Sequence, residues 1–298
     1  MAAKQIVVAT GANSGIGFQT ALHFARAGAK VVMGCRNINK AEDAQQRIRQ
    51  EVPEADTLIL PLDVSELSSV REFGQLFAQQ VGELDVLINN AGIVGLPLMR
   101  TSAGHEMQLA TNYLGAFTLT SLLLPHFRKN KAARIVNVGS IAHRFGKLNV
   151  EDLNWETTQY DQWKAYANSK VALLSHTLEL NRRLQEQESH VIALAAHPGV
   201  ANTNITTQSD SLKPPGRFKL WYRQQMTRFI PTAADAARAI ILAATADHVR
   251  GGEYYGPGGP LELGGKPKQA RLNPVAQDPQ LSRRLWGLTE HLTGAQFL

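Results

Sequence analysis

Short apolar runs alternate with segments of helical spacing along most of the chain. Each apolar run has the length of a buried strand, and the stretches between them place apolar residues every three or four positions, which predicts helices. This alternation favours an α/β arrangement. The predicted strands are residues 6–9, 30–34, 57–62, 84–89, 134–138, 191–196 and 253–256, and the predicted helices are residues 16–25, 40–52, 66–81, 102–129, 166–187, 232–246 and 281–292.

The composition indicates a soluble folded protein of a reducing compartment. The chain has 298 residues, of which 44% are hydrophobic and 19% charged, enough for one large domain or two small ones. A single cysteine, Cys35, excludes an intramolecular disulfide, and no Cys/His spacing resembles a metal site. Because no targeting region and no run of about 18 apolar residues is present, we expect a cytoplasmic protein without a membrane span.

The net charge of +6 raises the question of an anionic partner. The basic residues are scattered, and pairs such as Arg182 and Arg183 stand close to acids. We therefore expect a solvated surface and no nucleic-acid site, although a phosphate-bearing cofactor could use one or two of these charges.

A glycine-rich turn joins the first predicted strand to the first predicted helix. It spans residues 10–17, with its glycines spaced G-x-x-x-G-x-G and not G-x-G-x-x-G. Gly11 permits a tight turn, Gly15 lets a bound group come close, and Gly17 lets the helix pack on the strand. Because the free N–H groups at a helix start favour phosphate, this context predicts a dinucleotide site.

The end of the second predicted strand indicates which dinucleotide binds. An acid near this point would bind the adenosine ribose, whereas an arginine would meet a 2′-phosphate. The charge here is Arg36, with Lys40 one turn further on, and no acid lies between Val31 and Ala41. We therefore expect NADP(H) and not NAD(H), with Ser14 as a further donor to the phosphate. A capping or surface arginine is the alternative.

Ser140, Tyr166 and Lys170 follow the fifth predicted strand in this order. Tyr166 and Lys170 stand four residues apart and share one helix face. An ammonium at about 5 Å in an effective dielectric of about 20 favours the phenolate by roughly 3 kcal/mol. We therefore expect Lys170 to lower the pKa of Tyr166 toward the range of a general acid or base, while Ser140 holds the substrate oxygen. The alternative is a tyrosine ring with a lysine stem packed along it.

Other residues allow two interpretations each. Asp63 could accept from an adenine amino group or cap the next helix. The Asn-Asn-Ala-Gly segment, residues 89–92, could run beside a ligand or form a simple turn. Asn112, in the middle of a predicted helix, indicates either a purposeful backbone distortion or a chance exposed position. Residues 201–230 could form a lid over an apolar pocket or an ordinary surface helix pair. In the tail, Asp278 looks like an N-cap, and the leucines of residues 281–292 form one helical face.

Taken together, these motifs resemble the short-chain dehydrogenase/reductase family. The resemblance covers about residues 4–256 and rests on residues 10–17, residues 89–92, Ser140, the spacing Tyr166-x-x-x-Lys170 and the pair Pro198-Gly199. Residues 34–37, 112–115 and 197–200 resemble the retinol dehydrogenase-like and protochlorophyllide reductase-like branch.

This resemblance implies a fold and a domain organisation. The expected fold is a single doubly wound, Rossmann-type α/β three-layer sandwich with about seven parallel strands. Residues 1–260 would form the NADP-binding catalytic domain, with the insertion at about 201–230, and residues 261–298 a C-terminal extension with a docking helix. Relatives are commonly dimers or tetramers that pair through the helix of Tyr166, so a homodimer or homotetramer is open. Some relatives with extra segments are monomers, and residues 144–164 of this chain could be such a segment.

The resemblance also implies roles for single residues. Tyr166 would exchange a proton with the substrate oxygen, Lys170 would lower the pKa of Tyr166 and bind the nicotinamide ribose, and Ser140 would position the substrate. Asn112 would kink its helix and hold a water that links Lys170 to solvent. The residues expected to line the cofactor are Gly11, Asn13, Ser14, Gly15, Ile16, Gly17, Arg36, Asn37, Asp63, Val64, Asn90, Ala91, Gly92, Tyr166, Lys170, Pro198, Gly199, Val200 and Thr203.

The expected activity is that of an NADP(H)-dependent carbonyl reductase or alcohol dehydrogenase, without a metal, acting on an apolar ketone, aldehyde or secondary alcohol. One alternative is a non-catalytic dinucleotide sensor or scaffold of the same fold. Another is a nucleotide-sugar epimerase or dehydratase, but such enzymes typically carry a G-x-x-G-x-x-G turn, which the glycine spacing of this chain does not match.

Overall fold

The fold is built on one central sheet of short apolar strands. The computed structural model describes residues 4–129, 133–199 and 231–297. Nearly all residues of the inner strands are buried, because helices cover both faces of the sheet. The strands are β1 (Ile6–Thr10), β2 (Lys30–Cys35), β3 (Asp56–Pro61), β4 (Val86–Asn89), β5 (Arg134–Val138), β6 (Ile192–Ala196), β7 (Tyr254–Pro257) and β8 (Pro267–Gln269).

The strands of the described ranges form one sheet in the order β3-β2-β1-β4-β5-β6-β7-β8. Strands β1 to β7 are parallel, and β8 pairs antiparallel with β7. The strand order reverses between β1 and β4, and ligands of open α/β sheets bind at the carboxyl ends of the strands at such a reversal. The predicted doubly wound α/β fold is confirmed. The sequence prediction missed β8, which is three residues long and has no apolar run.

Helices form a layer on each face of the sheet. The helices of the described ranges are α1 (Gly15–Arg26), α2 (Ile38–Glu51), α3 (Leu67–Gln80), α4 (Met107–Leu109), α5 (Gly115–Leu123), α6 (Gln162–Glu186), α7 (Ala233–Thr245) and α8 (Pro279–Thr293). Helices α1, α2 and α7 share one apolar core with the sheet, and α3, α5, α6 and α8 share the other. The predicted three-layer sandwich is therefore present.

The helix predicted over residues 102–129 is wrong at its start and irregular inside. It begins only at Met107, because the Glu106 carboxylate accepts hydrogen bonds from the N–H groups of Gln108 and Leu109 and so caps the first turn. A π-helical turn, Ala110–Leu114, then separates α4 from α5. A 3-10 helix, Leu124–His126, follows α5, so the long apolar pattern covers four shorter helical pieces.

The last helix docks on the body of the protein, as expected. Asp278 caps it by accepting hydrogen bonds from two backbone N–H groups. Its buried face differs from the predicted leucine face, since Leu285 and Trp286 are buried while the other leucines are only partly buried. The helix also supports the π-helical turn, because the hydroxyl groups of Thr289 and Tyr113 are hydrogen-bonded at 2.7 Å.

Three observations concern the periphery of the fold. The sheet continues beyond residue 260, since β8 lies in the predicted C-terminal extension. No helix in the described part of the chain is both long and apolar enough to cross a membrane. The predicted lid, residues 201–230, lies outside the described residues.

Candidate active site

The predicted site residues gather at the carboxyl ends of β1, β4, β5 and β6. These strands are neighbours at the centre of the sheet, and parallel strands place their carboxyl ends along one edge. Gly11 follows β1, Asn90 follows β4, Ser140 lies just after β5, and Pro198 lies just after β6. Motifs that are far apart in the sequence therefore meet at one edge.

The glycine-rich turn between β1 and α1 leaves no room for larger residues. Gly11 and Gly15 have φ angles of 64° and 54°, in the left-handed region that favours glycine. A Cβ on Gly17 would lie 2.2 Å from the Gly11 carbonyl oxygen. Ser14 is the N-cap of α1, yet its side chain caps no backbone N–H group of that helix. Its exposed hydroxyl can therefore bind a phosphate at the helix start.

Cys35 supports this turn from the end of β2. Its thiol is buried against the backbone of Ala12 and Asn13, and burial raises the pKa of Cys35 to about 11. The thiol therefore stays protonated at neutral pH and is no nucleophile. Asn13 is half-buried in the turn, and Ile16 is buried in the first turn of α1.

Thr10 ties the glycine-rich turn to the segment after β4. Its Oγ1 accepts hydrogen bonds from the N–H groups of Asn90 at 3.0 Å and Ala91 at 2.9 Å. Asn90 Nδ2 donates in return to the Thr10 carbonyl oxygen at 2.9 Å. An asparagine side chain also joins the neighbouring strands β4 and β5, because Asn89 Nδ2 donates to Asn137 Oδ1 at 2.8 Å. The two loops are therefore held as one unit.

Arg36 and Asp63 lie side by side after β2 and β3. Arg36 Nη1 is 3.6 Å from Asp63 Oδ2, and the Arg36 side chain is 67% exposed. Asp63 does not cap α3, because its Oδ1 accepts hydrogen bonds from the N–H and hydroxyl groups of Ser65. Asn37 caps α2 by accepting from the Lys40 N–H group. Arg36 is therefore an exposed cation at the end of β2, and Asn37 and not Arg36 caps α2.

Asn112 lies in the π-helical turn and is buried, so its interpretation as a backbone distortion is the correct one. Its Oδ1 accepts from the Ile93 N–H group at 2.8 Å, and its Nδ2 donates to the Ile93 carbonyl oxygen at 3.0 Å and to Ser169 Oγ at 2.9 Å. The start of α5, just after this turn, touches the segment after β3, since a Cβ on Gly115 would lie 1.9 Å from the Val64 carbonyl oxygen. Asn112 thereby fixes the segment that follows β4.

Ser140 and Tyr166 are half-buried neighbours whose side chains form a hydrogen bond. The Ser140 hydroxyl also accepts from the Ala142 N–H group at 3.2 Å, which caps a short 3-10 helix. Burial raises the pKa of Tyr166 above its ordinary value of 10.0, and the hydrogen bond with Ser140 lowers it by less. Tyr166 is therefore a neutral phenol at neutral pH.

Lys170 is buried one helical turn after Tyr166. It is 4% exposed, and its Nζ donates to the Val138 carbonyl oxygen at 2.8 Å. The same Nζ lies 6.0 Å from the centroid of the Tyr166 ring and 3.5 Å from the place of a Cβ on Gly92. Burial lowers the pKa of Lys170 to about 8. The lysine therefore binds the last residue of β5 and lies beside Gly92 in the segment after β4.

The expected fall in the pKa of Tyr166 is absent in the protein without ligands, because burial outweighs the effect of the neighbouring Lys170 charge. Sequence spacing predicts the proximity of the two groups but not their burial. Loss of hydration disfavours both charged forms, so it raises the pKa of the phenol and lowers the pKa of the ammonium. The resulting pair is a protonated phenol beside a lysine that is less basic than usual.

Pro198 and Gly199 turn the chain after β6. Gly199 has a φ of 74°, and a Cβ there would lie 2.6 Å from the Leu263 carbonyl oxygen. Both the left-handed conformation and the close approach require glycine. Val200 and Thr203, which were also expected to line the cofactor, lie outside the described residues.

Behind this turn, the Glu262 carboxylate contacts both Arg144 and His197, which was not predicted from the sequence. Glu262 Oε1 lies 2.7 Å from Arg144 Nη2, and Glu262 Oε2 lies 3.0 Å from His197 Nε2. His197 is completely buried, and the Glu262 side chain is 12% exposed. His197 directly precedes the Pro198-Gly199 motif, so its place near the site could be predicted from the sequence. No local pattern indicates that Glu262 contacts His197 and Arg144.

Comparisons with known sequences agree with this geometry. A family model described as short chain dehydrogenase matches residues 5–213. Retinol dehydrogenase 13 from Homo sapiens is 36% identical over 299 aligned residues, which cover 97% of this chain and 85% of that protein. Retinol dehydrogenase 14 from Homo sapiens is 36% identical over 303 aligned residues, which cover 97% of this chain and 86% of that protein.

Comparisons with solved structures give the same architecture. An uncharacterized protein from Mycobacterium Paratuberculosis has a TM-score of 0.80 and 38% sequence identity, with 99% of this chain and 96% of that chain covered. A short chain dehydrogenase from Shigella flexneri, crystallised in complex with NADP, has a TM-score of 0.64 and 23% identity, with 84% of this chain and 95% of that chain covered. The second similarity concerns the fold alone.

Proposed function

The chain belongs to the short-chain dehydrogenase family of oxidoreductases, and from this premise we propose that it transfers a hydride between NADP(H) and an apolar ketone, aldehyde or secondary alcohol. The observation that carries the proposal is the arrangement of Ser140, Tyr166 and Lys170 at one edge of the sheet. A hydrogen bond joins the first two side chains, and a buried ammonium lies beside them.

Tyr166 is the proposed proton donor in the reducing direction. Its raised pKa keeps the phenol protonated at neutral pH, and the neighbouring Ser140 hydroxyl can hold the same substrate oxygen. Once the proton has left, the Lys170 ammonium at 6.0 Å from the ring stabilises the phenolate by roughly 3 kcal/mol in an effective dielectric of about 20. In the oxidising direction the phenolate removes the proton of an alcohol.

The glycine-rich turn and residues 90–92 form the proposed cofactor surface. When bound, NADP(H) supplies or accepts the hydride. Ser14 and the start of α1 would hold its phosphates. A Cβ on Gly11 would lie 3.1 Å from Ala91 Cα, and one on Gly92 would lie 3.0 Å from Asn112 Oδ1, so glycine lets these segments pack closely against one another. This packing holds both loops at one edge of the sheet, which supports binding of an extended ligand there.

Arg36 supports NADP(H) over NAD(H). Its guanidinium is exposed, and its contact with Asp63 is long, which makes the ion pair weak. Asp63 is at the same time engaged by Ser65, so Arg36 can turn toward a 2′-phosphate and bind it with two N–H groups.

Trp163 supports an apolar substrate. It stands three residues before Tyr166 on α6, near the same helix face, and is 56% exposed. Its ring lies against Gly95, where a Cβ would be 3.1 Å from the nearest ring carbon. An exposed indole near the proposed acid offers a stacking surface for an apolar or conjugated molecule. The relatives are named retinol dehydrogenases, and retinol is a conjugated primary alcohol, which adds this class to the proposed substrates.

Assay of the Tyr166→Phe variant tests the proposed acid. Because the variant loses one hydroxyl and keeps the ring, NADPH binding should be unchanged, while kcat with an apolar ketone or aldehyde should fall at least about a hundredfold. Tyr255→Phe is the matched control. It removes the hydroxyl of a tyrosine in β7 that is hydrogen-bonded to Glu253, and it should keep the wild-type kcat. Turnover near the wild-type level by Tyr166→Phe would remove Tyr166 as the acid.

The Arg36→Asp variant tests the cofactor. The ratio of kcat/KM with NADPH to kcat/KM with NADH should fall at least about tenfold, because the carboxylate repels a 2′-phosphate. Arg49→Asp makes the same charge change in the last turn of α2, roughly 17 Å from the helix start, and should leave the ratio unchanged. An unchanged ratio in Arg36→Asp would contradict the preference for NADP(H).

A further inference from the structure

The β7–β8 loop, residues 258–266, packs against the turn that follows β6. The loop is closed by a hydrogen bond from the Gly258 N–H group to the Lys266 carbonyl oxygen at 2.7 Å. Its backbone reaches Gly199, where a Cβ would lie 2.6 Å from the Leu263 carbonyl oxygen. The C-terminal part of the chain therefore provides one wall behind the proposed site.

Two residues of this loop reverse the usual relation between polarity and exposure. Leu261 is 75% exposed, whereas the neighbouring Glu262 side chain is only 12% exposed. Both residues have φ angles in the left-handed region, 53° and 57°, which is costly for residues other than glycine. Such backbone strain persists only where surrounding contacts fix it, and here the buried carboxylate makes those contacts.

One of these contacts is with His197, whose ring nitrogens are both satisfied in a single tautomer. The Gly199 N–H group donates to Nδ1 at 3.2 Å, so Nδ1 carries no proton. Nε2 therefore carries the proton and donates it to Glu262 Oε2 at 3.0 Å. Burial lowers the pKa of His197 to about 4, which agrees with this neutral form. Gly256 makes room for the ring, since a Cβ there would lie 1.9 Å from Nε2.

The other carboxylate oxygen binds the segment that carries Ser140. Arg144 Nη2 lies 2.7 Å from Glu262 Oε1, and Arg144 belongs to the short 3-10 helix that Ser140 caps. Because β5 and β6 are adjacent parallel strands, the segments that follow them run side by side. A single carboxylate therefore joins the segment of Ser140 to the turn of Gly199.

We propose that Glu262 is a positioning residue for the reaction: through Arg144 it holds Ser140 in place for the substrate, and through His197 it holds Gly199 in place for the cofactor. This inference rests on the proposed function, because it takes Ser140 to meet the substrate and Gly199 to line the cofactor. The two arms serve different ligands, so separate substitutions distinguish them.

Substitution of each arm should give a different kinetic signature. Arg144→Met should lower kcat with an apolar ketone about tenfold and leave the dissociation constant of NADP⁺ unchanged. His197→Leu should weaken NADP⁺ binding about tenfold. His197→Asn should restore most of this affinity, because its Oδ1 can still accept from the Gly199 N–H group. A role of His197 in packing alone would leave both His197 variants equally impaired.

Substitution of the shared carboxylate should impair both ligands. Glu262→Gln keeps the shape but sets an NH₂ donor against one of the two donors, so both kcat and NADP⁺ affinity should fall about tenfold. Adding Arg144→Met or His197→Leu to Glu262→Gln should cause little further loss. Losses that multiply independently would overturn the proposal, as would wild-type kcat and affinity in Glu262→Gln. Glu51→Gln, in the exposed pair with Arg26, is the control and should match wild type.

Hydrogen–deuterium exchange of the ligand-free protein separates this proposal from the proposed function. Exchange at the Gly199 N–H group should rise about tenfold in Glu262→Gln and in His197→Leu, and should stay at the wild-type level in Glu51→Gln. Unchanged exchange would overturn the positioning of Gly199 even if the protein reduces ketones. Raised exchange in a protein that oxidises no NADPH would support the contact and reject the proposed function instead.

Discussion

Replacement of Lys170 by methionine is expected to stabilise the folded protein and to abolish its proposed activity. The Lys170 side chain is buried in α6, and its ammonium donates a hydrogen bond to the Val138 carbonyl oxygen. Methionine is unbranched, similar in length and a good helix former, so it can fill the same space without the charge.

The magnitude follows from the pKa of the buried group. Burial lowers the pKa of Lys170 from 10.5 to about 8, and each pKa unit corresponds to about 1.4 kcal/mol. Below pH 8 the folded protein therefore carries a penalty of about 3 kcal/mol relative to the unfolded chain. The variant escapes this penalty but loses the hydrogen bond to Val138, worth about 1 kcal/mol. The free energy of unfolding should therefore rise by about 2 kcal/mol at pH 7.

The pH dependence distinguishes this cause from improved packing. Between pH 8 and 10.5 the unfolded chain keeps a proton on Lys170 that the folded protein has released, so the stability of the wild-type protein rises with pH. The penalty is complete below pH 8 and has vanished above pH 10.5. The stability advantage of Lys170→Met should therefore shrink by about 2 kcal/mol between pH 7 and pH 9.5.

Urea unfolding at pH 7 and pH 9.5, followed by tryptophan fluorescence, measures both free energies. Lys164→Met replaces an exposed lysine of the same helix and should stay within about 0.5 kcal/mol of the wild-type protein. The reasoning fails if Lys170→Met is no more stable than wild type at pH 7, or if its advantage is the same at pH 9.5. Ketone reduction with NADPH, measured on the same samples, should be lost.

Three further substitutions test the packing around the site and on the last helix. Asn112→Ala removes the three hydrogen bonds that this buried side chain makes with Ile93 and Ser169, and should lower the free energy of unfolding in urea by about 3 kcal/mol. A loss below about 1 kcal/mol would contradict these contacts. Gly17→Ala places a Cβ 2.2 Å from the Gly11 carbonyl oxygen and should abolish NADP⁺ binding in a fluorescence titration. Wild-type affinity would show that the glycine-rich turn can shift to accommodate the Cβ. Apart from the backbone of α8 itself, no atom of the described residues lies within 4 Å of a Cβ added at Gly287, so Gly287→Ala should raise the free energy of unfolding in urea by about 1 kcal/mol. A destabilised variant would speak against this placement of α8.

Local sequence patterns were sufficient for most of the fold. The strands of a parallel sheet are buried on both faces, so each appears as a continuous apolar run between turns. The glycine-rich turn was readable for a similar reason, because Gly11, Gly15 and Gly17 mark places where a Cβ does not fit. Strand β8 was missed because its three residues carry no apolar signal and are ordered only by pairing with β7.

The properties that depend on tertiary burial were not readable. Asn112 was recognisable as an unusual polar residue in a predicted helix, but its hydrogen bonds with Ile93 join it to a chain segment 19 residues away. The pKa of Tyr166 was predicted to fall because spacing reports the neighbouring charge and not the lost hydration. Glu262 gave no signal at all, since a left-handed backbone turns it inward at a position where an acid would ordinarily face solvent.

The antiparallel pairing of β7 with β8 also bears on the order in which the protein matures during synthesis. The glycine-rich turn leaves the ribosome before Ser140 and Tyr166, and β7 and β8 emerge after them. Until they pair, the outer edge of β6 presents free backbone groups to which a second nascent chain can add. A chain truncated before residue 254 would keep this open edge and would also lack Glu262. Pairing of β7 and β8 with the sheet therefore covers the edge of β6 and brings Glu262 to the site in the same step.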